Sequence, residues 1–157
     1  MKIDRHGLRD YFQLLAPLFA LIAAVWALRL VVYAAGVQGP ALHVISVTLA
    51  GRVSILLAVI MIYRRRFGGY TSVIASVFLL SCWEQFIISA AILFTVLTGV
   101  TNVYSARRFT FGESPATHLV GHLTVGIGSG ALLGAAMGCL LLLILRKLAS
   151  PATRSSR

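Results

Sequence analysis

Residues 70–100 read YTSVIASVFLLSCWEQFIISAAILFTVLTGV, an apolar run interrupted by a single charge, Glu84. A transmembrane helix needs about 20 consecutive, mainly apolar residues at a rise of about 1.5 Å each. Three other runs are also long enough, so we expect spans at roughly 12–35, 41–62, 70–99 and 117–145. We expect Ser114 to cap the fourth helix and Pro115 to be its first residue.

Composition assigns the chain of 157 residues to the membrane class. Hydrophobic residues make up 59% of it, charged residues make up 11%, and the mean hydropathy is +0.91. Soluble domains carry about 25% charged residues, and a soluble fold of this composition would expose large apolar patches. The sequence therefore predicts an all-α, polytopic membrane protein. It would be a single domain, residues 1–157, folded as a four-transmembrane-helix antiparallel bundle.

The net charge of +10 lies at the ends of the apolar runs, which argues against nucleic-acid binding. In a four-span arrangement, ten of the 14 Lys and Arg residues fall on one side: Lys2, Arg5, Arg9, Arg64, Arg65, Arg66, Arg146, Lys147, Arg154 and Arg157. The other side has Arg107 and Arg108, partly offset by Glu113. Positive residues mark the cytoplasmic side. Both termini are thus expected in the cytoplasm, and length and composition fit a bacterial inner (plasma) membrane.

Arg52 and Glu84 are charges inside the second and third apolar runs. A charge at the bilayer centre costs about 2.5–3.5 kcal/mol on insertion scales, so it needs a partner or a purpose. Both residues fall near the middle of consecutive antiparallel spans, where an Arg–carboxylate pair would reduce the penalty. Candidates for the remaining hydrogen bonds are Thr48, Ser81 and Gln85. Two roles stay open, a buried ion pair that sets helix register and a proton, ion or substrate pathway.

Arg29 is the third buried charge and lies nearer the outer end of the first run. Trp26 and Tyr33 share its helical face and offer a cation–π contact. Three roles are open to Arg29: it could snorkel to the outer interface, bind an anionic group or pair with Glu84.

The fourth run contains a glycine ladder, Gly126, Gly130, Gly134 and Gly138. Spacing of four places these residues on one ridge, where the missing side chains allow another helix to approach closely. The ladder predicts a helix-packing interface. Its partner helix belongs either to the same chain or to another copy or a foreign membrane subunit.

His118 and His122 stand one turn apart at the outer start of the fourth run. His43 and Glu113 are expected on the same side of the membrane. Two histidines one turn apart can share a metal ion that a third histidine or a carboxylate completes, and haem ligation is also open. The alternatives are interfacial histidines bonded to water, headgroups or backbone, and pH sensing. No other feature indicates a cofactor.

The sequence has no phosphate loop, nucleophile elbow or HExxH zinc motif, so an enzyme is not favoured. The first hypothesis is a small non-enzymatic integral membrane protein. It would be a subunit of a membrane complex or a homo-oligomer assembled through the glycine ladder, with the lipid bilayer as its surroundings. The second is a small transporter or channel using Glu84, Arg52 and Arg29. The third is a metal- or haem-binding redox protein at the outer face.

Overall fold

The structure, a computed structural model, describes residues 2–4, 6–37, 42, 44–106 and 114–149. Apart from a short hairpin it is all-helical, with four helices long and apolar enough to cross a membrane, and this part of the prediction is confirmed. The first three are α1 (Leu8–Ala34), α2 (Val47–Arg64) and α3 (Tyr70–Thr98). The fourth span joins α4 (Pro115–Gly121), a π-helical turn (His122–Gly126) and α5 (Ile127–Ala149). The hairpin, β1 (Lys2–Ile3) and β2 (His6–Gly7), precedes α1.

Two helix starts are set by serine caps. Ser114 Oγ accepts a hydrogen bond from Thr117 N at 3.2 Å, so the fourth span begins where the sequence predicts. The second span begins at residue 47, later than the predicted 41, because Ser46 Oγ accepts from Leu49 N at 3.3 Å and caps a helix there. As a result Arg52 is the sixth residue of α2 rather than its midpoint. Residues 38–40, between the first two predicted spans, lie outside the described residues.

Helices α2 and α3 form the centre of the bundle. In their most apolar stretches 44% and 56% of the residues are buried, against 17% in both α1 and the fourth span. Both central helices pack against α1 and α5 as well as against each other. The core is a continuous apolar cluster to which every span contributes, with Ile22, Val59, Leu80 and Leu142 almost completely buried.

The glycine ladder packs against α3 of the same chain. The facing pairs are Gly138–Val73, Gly134–Val77, Gly130–Ser81 and Gly126–Gln85. Residue numbers rise in steps of four along α3 as they fall in steps of four along the fourth span. A Cβ added at Gly134 would lie 2.7 Å from Val77 Cγ1, so the approach leaves no room for a methyl group. The ladder thus packs on α3 within the chain, and assembly with another chain through this ridge stays a prediction.

The hairpin caps α3 from outside that helix. The N-cap residue of α3, Gly69, has no side chain that could accept a hydrogen bond. Asp4 Oδ2 instead accepts hydrogen bonds from Gly69 N at 3.1 Å, Ser72 N at 3.2 Å and Ser72 Oγ at 2.9 Å. These hydrogen bonds hold the pKa of Asp4 below its ordinary value. Tyr11 Oη donates to Ser72 Oγ at 2.8 Å. The hairpin and the start of α1 are therefore attached to the first turn of α3.

Candidate functional site

Polar side chains from all four spans lie around Glu84. We call this group the Glu84 cluster; its members are Arg29, Thr48, Arg52, Glu84, Gln85, Tyr104, His118 and His122. Tyr104 comes from the segment after α3, and the others come from the spans. The cluster lies toward the end of the bundle at which α1 ends and α2 begins.

The Glu84 carboxylate lies on α2, in the space that the missing side chain of Gly51 leaves. Glu84 is only 9% exposed. Thr48 supplies a hydrogen bond to the carboxylate, and Arg52 is the neighbouring positive charge. The contact with Gly51 places Glu84 level with Arg52 on adjacent helices. A direct bidentate Arg52–Glu84 pair stays a prediction, since the hydrogen bond to the carboxylate comes from Thr48.

A chain of close polar contacts runs from Gln85 to the segment after α3. Gln85 Oε1 lies 2.7 Å from His122 Nδ1. The His122 ring meets the His118 ring edge-on, with centroids 4.7 Å apart. His118, only 3% exposed, donates from Nε2 to the Tyr104 carbonyl at 3.2 Å. His118 is therefore built into the bundle interior, and His122 lies half-buried beside it.

A glycine and a π-helical turn place His122 against α3. A Cβ at Gly126 would lie 2.6 Å from Gln85 Oε1, so a side chain there would displace the Gln85 amide from His122. His122 opens the π-helical turn that ends at Gly126. Such turns are rare and occur frequently at functional sites. This irregularity gave no signal in the sequence beyond the density of glycines.

Arg29 joins the cluster through Tyr104. Its guanidinium carbon lies 5.3 Å from the centroid of the Tyr104 ring, a cation–π distance. Burial raises the pKa of the Tyr104 hydroxyl well above its ordinary value, and the nearby Glu84 charge adds to the rise while Arg29 opposes it. The sequence offered Trp26 and Tyr33 as aromatic partners. The structure adds Tyr104, which sequence spacing could not identify because it lies 75 residues away.

Asn102 holds Tyr104 in place. Its side-chain amide donates to Ala91 O at 2.7 Å and to Thr95 Oγ1 at 2.8 Å, and its Oδ1 accepts from Tyr104 N at 2.9 Å. Asn102 is therefore a positioning residue that attaches the segment after α3 to the last turns of that helix. No motif in the sequence marks Asn102 for this role.

The structure describes only two of the four residues proposed for the metal or haem site. His118 and His122 are neighbours, whereas His43 and Glu113 lie outside the described residues. Across residues 2–4, 6–37, 42, 44–106 and 114–149, no group of three His, Cys, Asp or Glu side chains is arranged to hold a metal ion. One nitrogen of each described histidine is engaged by the chain itself. Arg107 and Arg108 also lie outside the description.

A cavity of about 380 Å³ opens beside the two histidines, and it is lined by His118, Gly121, His122, Val125 and Gly126. The cavity borders the Glu84 cluster at these two histidines. Compared with known proteins, the chain matches no family model, no curated protein and no solved structure.

Proposed function

We propose that this chain is an integral membrane protein of a bacterial inner membrane, an antiparallel bundle of four spans with both termini in the cytoplasm. The four apolar helices and the basic residues at one set of helix ends support this topology. Where α3 and the fourth span are in contact, residue numbers rise along one helix as they fall along the other, which agrees with this topology.

Cysteine labelling tests the topology. In a Cys82→Ser, Cys139→Ser background, Thr101→Cys should react with a membrane-impermeant maleimide added to intact cells. Arg65→Cys should react only after the cells are permeabilised. The reverse pattern would contradict the orientation, and labelling of both in intact cells would contradict membrane insertion.

We propose further that the protein is non-enzymatic and that its Glu84 cluster binds and relays protons, as a small transporter or channel does. One observation carries this proposal: polar groups from every span converge on a buried carboxyl group in the middle of an apolar helix. An ionisable side chain that faces the interior of a membrane bundle commonly marks a proton or ion pathway.

Buried polar groups lie on both sides of Glu84 and would form the proposed route. On one side, Gln85 leads to His122 and to the 380 Å³ cavity. On the other side, buried hydroxyls continue along α3 through Ser81 and Ser76 to Ser72. Within the described part of the chain, the Ser76 hydroxyl has no hydrogen-bond partner. Water is stabilised at polar sites of this kind where there is space for it.

Proton flux into vesicles tests this function. Protein reconstituted with a pH-sensitive dye inside the vesicles should acidify or alkalinise them under an imposed potential, and Glu84→Gln should abolish the flux. Asp10→Asn is the matched control, because it makes the same chemical change outside the cluster and should leave flux intact. Gel filtration and tryptophan fluorescence check that Glu84→Gln is folded. Undiminished flux in folded Glu84→Gln would refute the proposal.

A second candidate function, a subunit of a membrane complex or a homo-oligomer, is supported by an open groove. Helices α1 and α5 both flank α3, and between them is an apolar cavity of about 350 Å³. Its lining is rich in aromatic residues: Phe12, Phe19, Leu79, Cys82, Trp83, Phe86, Leu123 and Ile127. A transmembrane helix of another chain would fill this groove, since the glycine ladder is already covered.

Native mass spectrometry from mild detergent tests the assembly. An oligomer or complex should be lost in Phe86→Ala and kept in Phe94→Ala, an equally exposed phenylalanine of α3 outside the groove. A monomer in the unmodified protein would count against a homo-oligomer. Equal loss in the two variants would show that the groove is not the interface.

A further inference from the structure

A second polar cavity lies at the opposite end of the bundle from the Glu84 cluster. Its volume is about 410 Å³, and it is lined by Tyr63, Arg64, Arg66, Gly68, Leu142 and Arg146. The end of α2, the turn that follows it and the last part of α5 form its walls. Three exposed arginines thus line one cavity at a helix end where a membrane interface is proposed.

The described residues of the cavity lining carry positive charge, and none of them is acidic. The acidic residue nearest the turn, Asp4, uses Oδ2 to accept from Gly69 N, Ser72 N and Ser72 Oγ. Arg146 also lies over the Tyr70 ring, 5.0 Å from its centroid, which orients its side chain at the end of the bundle. The site therefore favours an anionic group.

The backbone at Arg66 supports a role for its side chain. Arg66 N donates to Tyr63 O at 3.2 Å and Phe67 N donates to Ile62 O at 3.0 Å, the two bonds of a Schellman motif. Arg66 occupies the left-handed position of that motif, with φ +51°. This position usually holds glycine, because a side chain is strained there. At the same position after α1 the chain has Gly36, with φ +82°.

The turn that carries Arg66 is braced from the hairpin side. Phe67 stacks on His6, with ring centroids 3.9 Å apart, and meets Tyr11 edge-on at 5.1 Å. The strained residue is thus held in a fixed turn. A long cationic side chain stands where glycine would be unstrained, which points to a use for that side chain.

We propose that this cavity binds a phosphate group, carried either by the headgroup of an anionic phospholipid or by a soluble phosphate ester. Guanidinium groups match phosphate oxygens in charge and in their planar, paired donors. Tyr63, which is half-buried, offers an apolar surface to the glycerol or acyl portion of a lipid. The site is separate from the Glu84 cluster, so its test does not depend on proton transport.

Lipid titration of the full chain in detergent, read by native mass spectrometry, tests the proposal. Phosphatidylglycerol should bind to one saturable site, and Arg66→Asn should weaken that binding by about tenfold or more, the loss expected for one charge-assisted contact. Asparagine tolerates the left-handed backbone, so the variant should keep its fold. Arg66→Lys should lose affinity in part, because it keeps the charge and loses the paired donors.

Arg65→Asn is the matched control. It removes the same charge one residue away, on a side chain outside the cavity lining, and should change the affinity less than about twofold. Displacement of the lipid by glycerol phosphate would assign the site to a soluble ester, and lack of displacement would assign it to the lipid. Equal weakening in Arg65→Asn and Arg66→Asn would overturn the proposal, as would equally strong retention of zwitterionic phosphatidylcholine by the unmodified protein.

Discussion

Gly134→Ala should destabilise the bundle, because the glycine ladder has no space for a methyl group at this position. The added Cβ would lie 2.7 Å from Val77 Cγ1 and 2.8 Å from Ile55 Cδ1. Carbon atoms in contact normally stay about 3.5–4.0 Å apart. Ile55 Cδ1 is the far end of a flexible side chain and can move, whereas Val77 is stiff at χ1 and transmits the clash to the backbone of α3.

The magnitude follows from two opposing effects. Overpacking a tight interior costs about 1–3 kcal/mol. Replacing glycine by alanine inside a helix returns roughly 0.5–1 kcal/mol. The expected net loss is therefore about 0–2.5 kcal/mol of unfolding free energy. Its midpoint, about 1 kcal/mol, is a factor of about 5 in the ratio of folded to unfolded protein.

Reversible unfolding in mixed detergent micelles, followed by tryptophan fluorescence, measures this loss. Gly128→Ala is the control on the same helix, because a Cβ there has no neighbour within 4 Å. Its stability should equal or slightly exceed that of the unmodified protein. The double variant Gly134→Ala, Val77→Ala should lose less unfolding free energy than the two single variants lose together, because the smaller side chain at residue 77 makes room for the methyl group at residue 134. Equal unfolding midpoints for Gly134→Ala and Gly128→Ala would refute the reasoning.

Three further predictions concern the Glu84 cluster and the ends of α3. Gly51→Ala should displace the Glu84 carboxylate, lowering both stability and proton flux in vesicles; unchanged flux would separate Gly51 from the function. Asn102→Ala should cost about 1–3 kcal/mol of unfolding free energy, measured in the same micelles, because it removes three buried hydrogen bonds; a smaller loss would mean that water replaces them. Because the folded pKa of Asp4 is lowered from 3.8, its stabilising contribution is complete above that pH and is lost as the pH falls through the folded value. Asp4→Ala should therefore lower the free energy of unfolding at neutral pH, and its difference from the unmodified protein should shrink in acid. A difference that does not change with pH would show that the Asp4 carboxylate is not its cause.

The four long helices can be predicted from the sequence, because the length of an apolar run and the residues that cap a helix are local properties. The run around Glu84 predicts α3 almost to the residue, and the Ser114-Pro115 pair predicts the start of the fourth span. The start of α2 was predicted six residues too early, because an apolar run does not show whether Ser46 acts as a cap. Hydropathy measures how long a helix can be and not where its first hydrogen bond forms.

The candidate site was predictable only as a set of residue types. Charges inside apolar helices identify Arg29, Arg52 and Glu84 as members, and the spacing of four identifies His118 and His122. Nothing in the order of residues indicates that Tyr104 lies over Arg29 or that Gln85 meets His122. These contacts join residues 75 and 37 positions apart.

By itself the sequence determined the class of the protein: four helices apolar enough to span a membrane, with charges at their ends and a few inside them. Only the tertiary structure decided that the glycine ladder packs on α3 and that Gly51 makes room for Glu84. It alone also placed Arg64, Arg66 and Arg146 around one cavity. The physical reason is that these helices are apolar nearly all round, so that periodicity does not show which face is buried. Rotation about each helix axis is then set by close packing and by polar contacts between distant residues.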